Sequence, residues 1–466
     1  MEETLSLKTE LAELDKRHFM HPTSSIQMQQ KNGPEFIFTN GEGIYLNEIS
    51  GRKFIDGMSS LWNVNIGHGR QELGRVASEQ MSTLAFSSAF STYSHEPAIR
   101  LSKKLSDMAP GDLNVSFFTS GGSEANDSAI KIVRHYWKLL NKPERKKIMS
   151  RKLAYHGVSM GSTSATGIKE FHEMTTSLAP DFIYAPAPKP GMSESGNETV
   201  NLICIKETRE LIEREGPETI AAFIAEPIQG AGGMIIPPKG YLQEMRKICD
   251  EYGILFIADE IITGFGRTGK LFGIENWDIV PDMMTVAKGI TSGYMPLGAV
   301  LISDRIHGEL IKSSKGTLFH GFTYSGHPTA CAVALKNLEI IEEEGLVENS
   351  KIMGKEFAKE LKQLEEEHWT VADGRNLGLL AAFELYEDPQ NRKRFDSSLA
   401  VSKRVLQKCL EHGLILRSIT YEGSDTIAIA PPLIITKEEV GKMFSIISNA
   451  VGAVEKELEN EGFLKK

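Results

Sequence analysis

Cysteine is scarce in this chain. Cys204, Cys249, Cys331 and Cys409 are the only four in 466 residues, they lie far apart, and they form no CxxC pair. That excludes a disulfide framework and a cysteine-based zinc site, and it suits reduced packing residues in a cytoplasmic protein. Positive charge is not concentrated either. Fifty-two basic against sixty-two acidic residues leave a net charge of −10, with no basic block, so neither nucleic acid nor an anionic membrane is expected as the main partner. No apolar run reaches the length of a membrane span, and the acidic start Met1-Glu-Glu-Thr lacks the charge pattern of a signal peptide. Internal repeats and low-complexity tracts are also missing, and no metal is expected.

What remains has the proportions of an α/β protein with a large and a smaller domain. Three short, nearly continuous apolar runs read as parallel strands covered on both faces: Thr219-Ile-Ala-Ala-Phe-Ile-Ala-Glu-Pro227, Gly253-Ile-Leu-Phe-Ile-Ala-Asp-Glu260 and Asp282-Met-Met-Thr-Val-Ala-Lys-Gly-Ile290. They end in Glu226, in Asp259 followed by Glu260, and in Lys288. Glu226 and Asp259 are 33 residues apart, and Asp259 and Lys288 are 29 apart. Each interval fits one strand, crossover helix and returning strand, so right-handed crossovers would bring all three to the carboxyl edge of one sheet. A helix is expected from Pro238 to Tyr252, ended by Gly253. Burial lowers the pKa of a lysine at such an edge and makes it a usable amine nucleophile. A lysine facing carboxylates there is either a plain ion pair or a Schiff-base lysine for pyridoxal phosphate, which needs that amine, a carboxylate at its ring nitrogen and backbone amides for its phosphate.

The phosphate requirement has a candidate in Val115-Ser-Phe-Phe-Thr-Ser-Gly-Gly-Ser-Glu-Ala-Asn126. Here an apolar strand gives way through Gly121 and Gly122 to a helix opened by Ser123. The same residues also make an ordinary turn with an N-cap. Tyr155-His156-Gly157 offers an aromatic face, and the Gly-punctuated stretch 57–69 carries Trp62, which reads equally as a binding-loop residue or a core plug. Residues 35–56 alternate as a small antiparallel meander. Gly378–Leu385 and Asp425–Ala430 read as strands, and Thr436-Lys-Glu-Glu439 as a capping box opening the last helix.

Taken together, Ser120-Gly-Gly-Ser-Glu-Ala-Asn126, Tyr155-His-Gly157, Ala225-Glu-Pro-Ile-Gln-Gly-Ala-Gly-Gly233, Asp259-Glu-Ile-Ile-Thr-Gly-Phe-Gly-Arg-Thr-Gly269, Ala287-Lys-Gly289 and His320-Gly-Phe-Thr-Tyr-Ser-Gly-His-Pro328 resemble the class III pyridoxal-phosphate aminotransferases. The resemblance is strongest to the ω-amino acid and ω-amine:pyruvate transaminases. It implies fold type I, an aspartate aminotransferase-like large domain with a mainly parallel sheet plus a smaller α/β domain. The corresponding division is 1–70 as N-terminal arm and small-domain segment, 71–330 as the large cofactor-binding domain and 331–466 as the C-terminal small domain.

The resemblance also implies roles. Lys288 corresponds to the Schiff-base lysine, Asp259 to the partner of the pyridine nitrogen, and Gly121, Gly122 and Ser123 to the phosphate cup. Tyr155, with His156 beside it, and Ile261 correspond to the residues on the two ring faces, and Glu226 to the carboxylate near the ring hydroxyl. Phe322 and Thr323 correspond to a loop that reaches the phosphate of a neighbouring subunit, which implies a homodimer with its site at the interface, or a tetramer of such dimers. Arg417 stands where the family binds the substrate carboxylate, with Trp62, Phe90 and Tyr155 around the substrate. Family members that use 2-oxoglutarate carry a glutamate where this chain has Ala231 and a glutamine where it has Ile262. The expected substrates are therefore a small amine donor and an oxo-acid acceptor, with pyruvate preferred.

Overall fold

The computed structural model describes residues 2–189 and 197–463. Its central sheet has seven strands: β4 (Val115–Thr119), β5 (Lys147–Arg151), β6 (Phe182–Ala185), β7 (Ile220–Ala225), β8 (Leu255–Asp259), β9 (Met283–Val286) and β10 (Gly298–Ile302). Their spatial order is β4-β10-β9-β8-β7-β5-β6. Neighbours from β9 through β6 pair in parallel, whereas β10 runs antiparallel to both β4 and β9. Two reversals restore direction, so β4 points the same way as β7, β8 and β9, and all four deliver their carboxyl ends to one edge.

The unbroken apolar runs of these strands have a simple cause. Successive side chains point to opposite faces, and both faces are covered. On β8, Phe256 and Ala258 join one core while Leu255 and Ile257 join another; on β9, Met284 and Val286 divide from Met283 in the same way. The helix Gly122–Leu139 packs Ala129, Ile132, Val133 and Trp137 into the second core, and Tyr241–Tyr252 packs Leu242, Met245 and Ile248 into the first. The latter helix begins three residues later than its sequence pattern indicates, because Gly240 adopts φ 85° immediately before it. It ends as expected at Gly253, whose φ of 66° is the left-handed cap that glycine supplies without strain.

Two smaller sheets flank this layer. The N-terminal meander β1 (Phe38–Glu42), β2 (Tyr45–Glu48) and β3 (Lys53–Asp56) is antiparallel as expected, but it gains a fourth, parallel partner from the far end of the chain, β13 (Leu414–Ile415). The other sheet is antiparallel in the order β11-β12-β15-β14, made of β11 (Val371–Leu377), β12 (Leu380–Leu385), β14 (Arg417–Ile419) and β15 (Thr426–Ile429). Arg417 is the first residue of β14, so this sheet carries it. The last helix, Lys437–Asn460, opens with the expected capping box between Thr436 and Glu439.

Candidate active site

The strand ends converge on a cavity of about 340 Å³. Its walls include Gly121, Gly122, Ser123, Tyr155, His156, Glu226, Asp259, Ile261 and Lys288, all singled out from the sequence, together with Ile262 and the segment Met295-Pro-Leu297.

Asp259 closes β8, is only 3% exposed, and is held on both oxygens. Its Oδ2 accepts a hydrogen bond from Asn126 Nδ2 at 2.8 Å and meets His156 Nδ1 at 2.7 Å, while Oδ1 accepts from the Ile261 amide at 3.1 Å. An ionised carboxylate can only accept, so His156 carries its proton on Nδ1. Asn126 also donates to the His156 carbonyl at 2.7 Å, which ties the helix Gly122–Leu139 to the loop that carries Tyr155 and His156. The role of Asn126 was not read from the sequence, although a signal existed. An asparagine among Ala125, Ala129, Ile130 and Val133 on a buried helical face needs a partner for its amide.

Glu260, the second carboxylate of the same strand end, takes no part in the cavity. Alternation sends it to the opposite side, where it accepts hydrogen bonds from Thr263 Oγ1 and from the amides of Gly273 and Ile274 at 2.5, 2.8 and 2.6 Å. Glu226 accepts from the Tyr155 amide at 3.0 Å and from the Gly230 amide at 2.9 Å. Burial still pushes its carboxyl up to about 7, with Asp259 adding to the rise and His156 and Arg151 opposing it.

Lys288 lies two residues beyond β9 with φ 46°, a left-handed conformation that costs a lysine about 1–2 kcal/mol. It is half-buried and lines the cavity. Burial pushes the amine down to about 8 against the pull of Asp259 and Glu226, with Arg417 and Arg267 assisting burial. No acid among the described residues forms a salt bridge with it. Its Nζ stands 5.2 Å from the ring centroid of Trp62, and the guanidinium carbon of Arg417 stands 4.9 Å from the same ring. Trp62 is 3% exposed, so it is both core plug and neighbour of the two cations.

At the other end of the cavity, Gly121 precedes the helix Gly122–Leu139 in fully extended backbone. A Cβ placed on Gly121 would meet nothing within 4 Å and would stand in the cavity, whereas one on Gly122 would press on Ile261 Cδ1 at 2.9 Å. Ser123 Oγ accepts from the Val158 amide at 3.1 Å. Tyr155 packs edge-on against Phe171 at 5.2 Å, and burial raises the pKa of its hydroxyl.

Five residues from the sequence reading do not line the cavity of their own chain: Trp62 neighbours the cavity residue Lys288 and Arg417 neighbours the Trp62 ring, while Phe90, Phe322 and Thr323 lie elsewhere. Phe90 and Thr323 are exposed and Phe322 is half-buried, and none of them lines it. They share one surface, since a Cβ on Gly321 would lie 3.2 Å from Phe90. The exposed Phe86 and Tyr324 pack against each other there at 6.2 Å.

Comparison with known proteins agrees with this geometry. Residues 26–451 match the class-III aminotransferase family. The chain belongs to the class-III aminotransferases. It is 38% identical to a putrescine–pyruvate aminotransferase of Pseudomonas aeruginosa, over 93% of this chain and 94% of that one. It is 37% identical to a diaminobutyrate–2-oxoglutarate transaminase of Halomonas elongata, over 98% of each. Among solved structures it superimposes on a transaminase from the marine bacterium Virgibacillus with a TM-score of 0.94 at 54% identity, covering 96% of this chain and all of that one. An (S)-enantioselective omega-transaminase from Thermomicrobium roseum gives 0.92 at 42% identity, over 96% and 98%.

Class-III aminotransferases depend on pyridoxal phosphate, so this is the cofactor of the enzyme. The cavity suits it. A buried amine without an acid partner, a carboxylate clamped at a strand end and a glycine facing open space at a helix start are the three features that a pyridine aldehyde with a phosphate needs.

Proposed function

We propose that this aminotransferase moves an amino group from an ω-amino acid or amine to pyruvate, in two half-reactions at the cavity described above. When bound, pyridoxal phosphate supplies an aldehyde that takes up amino groups and a ring that withdraws the electron pair left when the substrate Cα–H bond breaks. Lys288 attaches the cofactor. With its amine pushed down to about 8 by burial, Lys288 could also serve as the base that takes the proton from the substrate Cα. Asp259 would keep the proton on the pyridine nitrogen, and Asn126 and His156 orient its carboxylate for that task. Tyr155 and Ile261 would pack the two ring faces, Glu226 would face the ring hydroxyl, and Gly121, Gly122 and Ser123 would bind the phosphate.

The observation that carries the choice of acceptor is the state of Arg417. It stacks on Trp62, and no acid among the described residues pairs with it. The position from which a glutamate would hold it in relatives with 2-oxoglutarate chemistry is the buried Ala231. Arg417 is therefore free to clamp the carboxylate of a small oxo acid through its planar fork, and to turn away when a carboxylate-free amine binds. The exposed surface of Phe86, Phe90, Phe319 and Tyr324 supports a second copy of the chain as partner, with Phe322 and Thr323 completing the neighbour's site. Four free, buried cysteines fit a reducing cytoplasm.

Steady-state rates with pyruvate and with 2-oxoglutarate, measured for the enzyme and for Arg417→Ala, test the reading. Pyruvate is the better acceptor, and the variant raises the KM for pyruvate far more than that for an aryl or alkyl amine. A preference for 2-oxoglutarate, or equal damage to both substrates, overturns the choice of acceptor.

A further inference from the structure

The loop between β3 and Val64 is built against its own backbone preferences. Ser59, Ser60 and Trp62 have φ of 46°, 57° and 58°, and Ser60 combines this with ψ −77°. None is a glycine or an asparagine, the residues that adopt such angles at least cost. Three left-handed residues within four positions persist only where neighbouring groups impose them.

Two buried groups do so. Asp56 is fully buried, and its carboxylate accepts from the Ser60 amide at 2.7 and 2.8 Å, from the Met58 amide at 3.2 Å and from the Ser60 hydroxyl at 3.2 Å. His68 Nε2, at 2.8 Å, meets the same carboxylate. Arg267, equally buried, donates through Nη2 to Ser59 Oγ at 2.9 Å and to Asn65 Oδ1 at 2.7 Å, and through Nη1 to the Pro431 carbonyl. Ser59 Oγ in turn donates to the Ala430 carbonyl at 2.7 Å. Every hydrogen-bond partner of this guanidinium is neutral, an expensive arrangement that ties two loops by direction rather than by charge. Between the two clamps stands Trp62, its ring shared by Lys288 and Arg417.

We propose that Asp56 and Arg267 are positioning residues. They hold the loop 57–63 in its strained form so that the Trp62 indole stays fixed between Lys288 and Arg417 and limits which amine donors fit beside them. Neither residue touches substrate; both act through Trp62. The proposal rests on the reading above that Trp62 borders the substrate.

The test uses holoenzyme labelled with 5-fluorotryptophan, which has four fluorine signals, from Trp62, Trp137, Trp277 and Trp369. Trp62→Phe assigns the first of them. Asp56→Asn, which keeps the side-chain shape, and Arg267→Lys, which keeps the charge and loses the fork, are expected to broaden or split the Trp62 signal while the other three hold. The same variants raise the KM for the amine donor about tenfold with kcat within about threefold, the scale of an altered apolar pocket wall. Ser60→Gly, which removes the left-handed penalty, restores both readouts when added to Asp56→Asn, and a merely structural role for Asp56 predicts no such rescue. An unchanged Trp62 signal in both folded variants overturns the clamp. A changed signal with an unaltered amine KM overturns the control of selectivity. If Trp62→Phe itself leaves the amine KM unaltered, the placement of Trp62 beside the substrate falls instead.

Discussion

Lys288 in the cofactor-free enzyme is the most direct place to measure what the strand-end site does to a titrating group. An ordinary lysine amine titrates near 10.5, and burial pushes this one down to about 8, with Asp259 and Glu226 resisting. At about 1.4 kcal/mol for each tenfold change, that displacement amounts to about 3 kcal/mol, an upper bound because the cavity admits solvent. At pH 8 roughly half of Lys288 is free amine against well under about 1% for an exposed lysine, so its acylation midpoint lies well below that of the surface population. The sign follows from proton counting. Between pH 8 and 10.5 the folded protein binds fewer protons at this site than the unfolded chain, so the site's contribution to stability rises with pH across that window. Competitive trace acetylation of the cofactor-free protein across pH 6 to 11, with peptide mapping, reads the midpoint at Lys288. Asp259→Asn removes the larger of the two opposing carboxylate charges, so the midpoint in that variant moves lower still. A wild-type midpoint above about 10, or a midpoint raised by Asp259→Asn, would refute the burial argument.

Other consequences are simpler to check. In the holoenzyme, Asp259→Asn keeps the cofactor bound but lowers kcat at least about tenfold to a hundredfold, the worth of a charge-assisted hydrogen bond; near-normal turnover would contradict the role given to this carboxylate. Asn126→Ala removes a donor from the Asp259 carboxylate and lowers stability by about 2 kcal/mol, read as a drop in urea midpoint together with faster cofactor loss in gel filtration. Thr436→Ala opens the capping box of the last helix and lowers stability by about 1 kcal/mol in the same urea assay without changing kcat. His320 accepts from Lys131 Nζ at 3.0 Å and contacts Ser128 Oγ at 2.9 Å, and burial and Lys131 hold its pKa below 6.5. Its neutral form is therefore the one the fold favours. Stability falls as pH drops below 6.5 toward the folded-state pKa, and His320→Gln removes part of that acid sensitivity in unfolding measured from pH 7 to 5.

Much of the site was readable because it is built from local rules. A strand, a crossover helix and a returning strand have a characteristic length, so the intervals from Glu226 to Asp259 to Lys288 place three side chains on one edge from the sequence alone. The glycines that open Gly122–Leu139 and close Tyr241–Tyr252, and the capping box at Thr436, depend on neighbours within a few residues and turned out as expected. Tertiary structure decided what depends on distant neighbours. Strand alternation alone allowed either Asp259 or Glu260 to face the cavity on sequence grounds, and the register of β8 against its neighbours sent Glu260 away. Asn126 acquired its task only when β8 came to lie across from its helix, 133 positions further along the chain. Trp62 became the shared neighbour of Lys288 and Arg417 where Arg267 and the 430–431 segment, both distant in sequence, hydrogen-bond to its loop and to each other's partners. Phe90, Phe322 and Thr323 stand on an exposed apolar surface away from their own cavity. Contacts of this kind have no period and no spacing to betray them. They are set by how whole layers of the protein pack, and only the folded chain brings their two halves together.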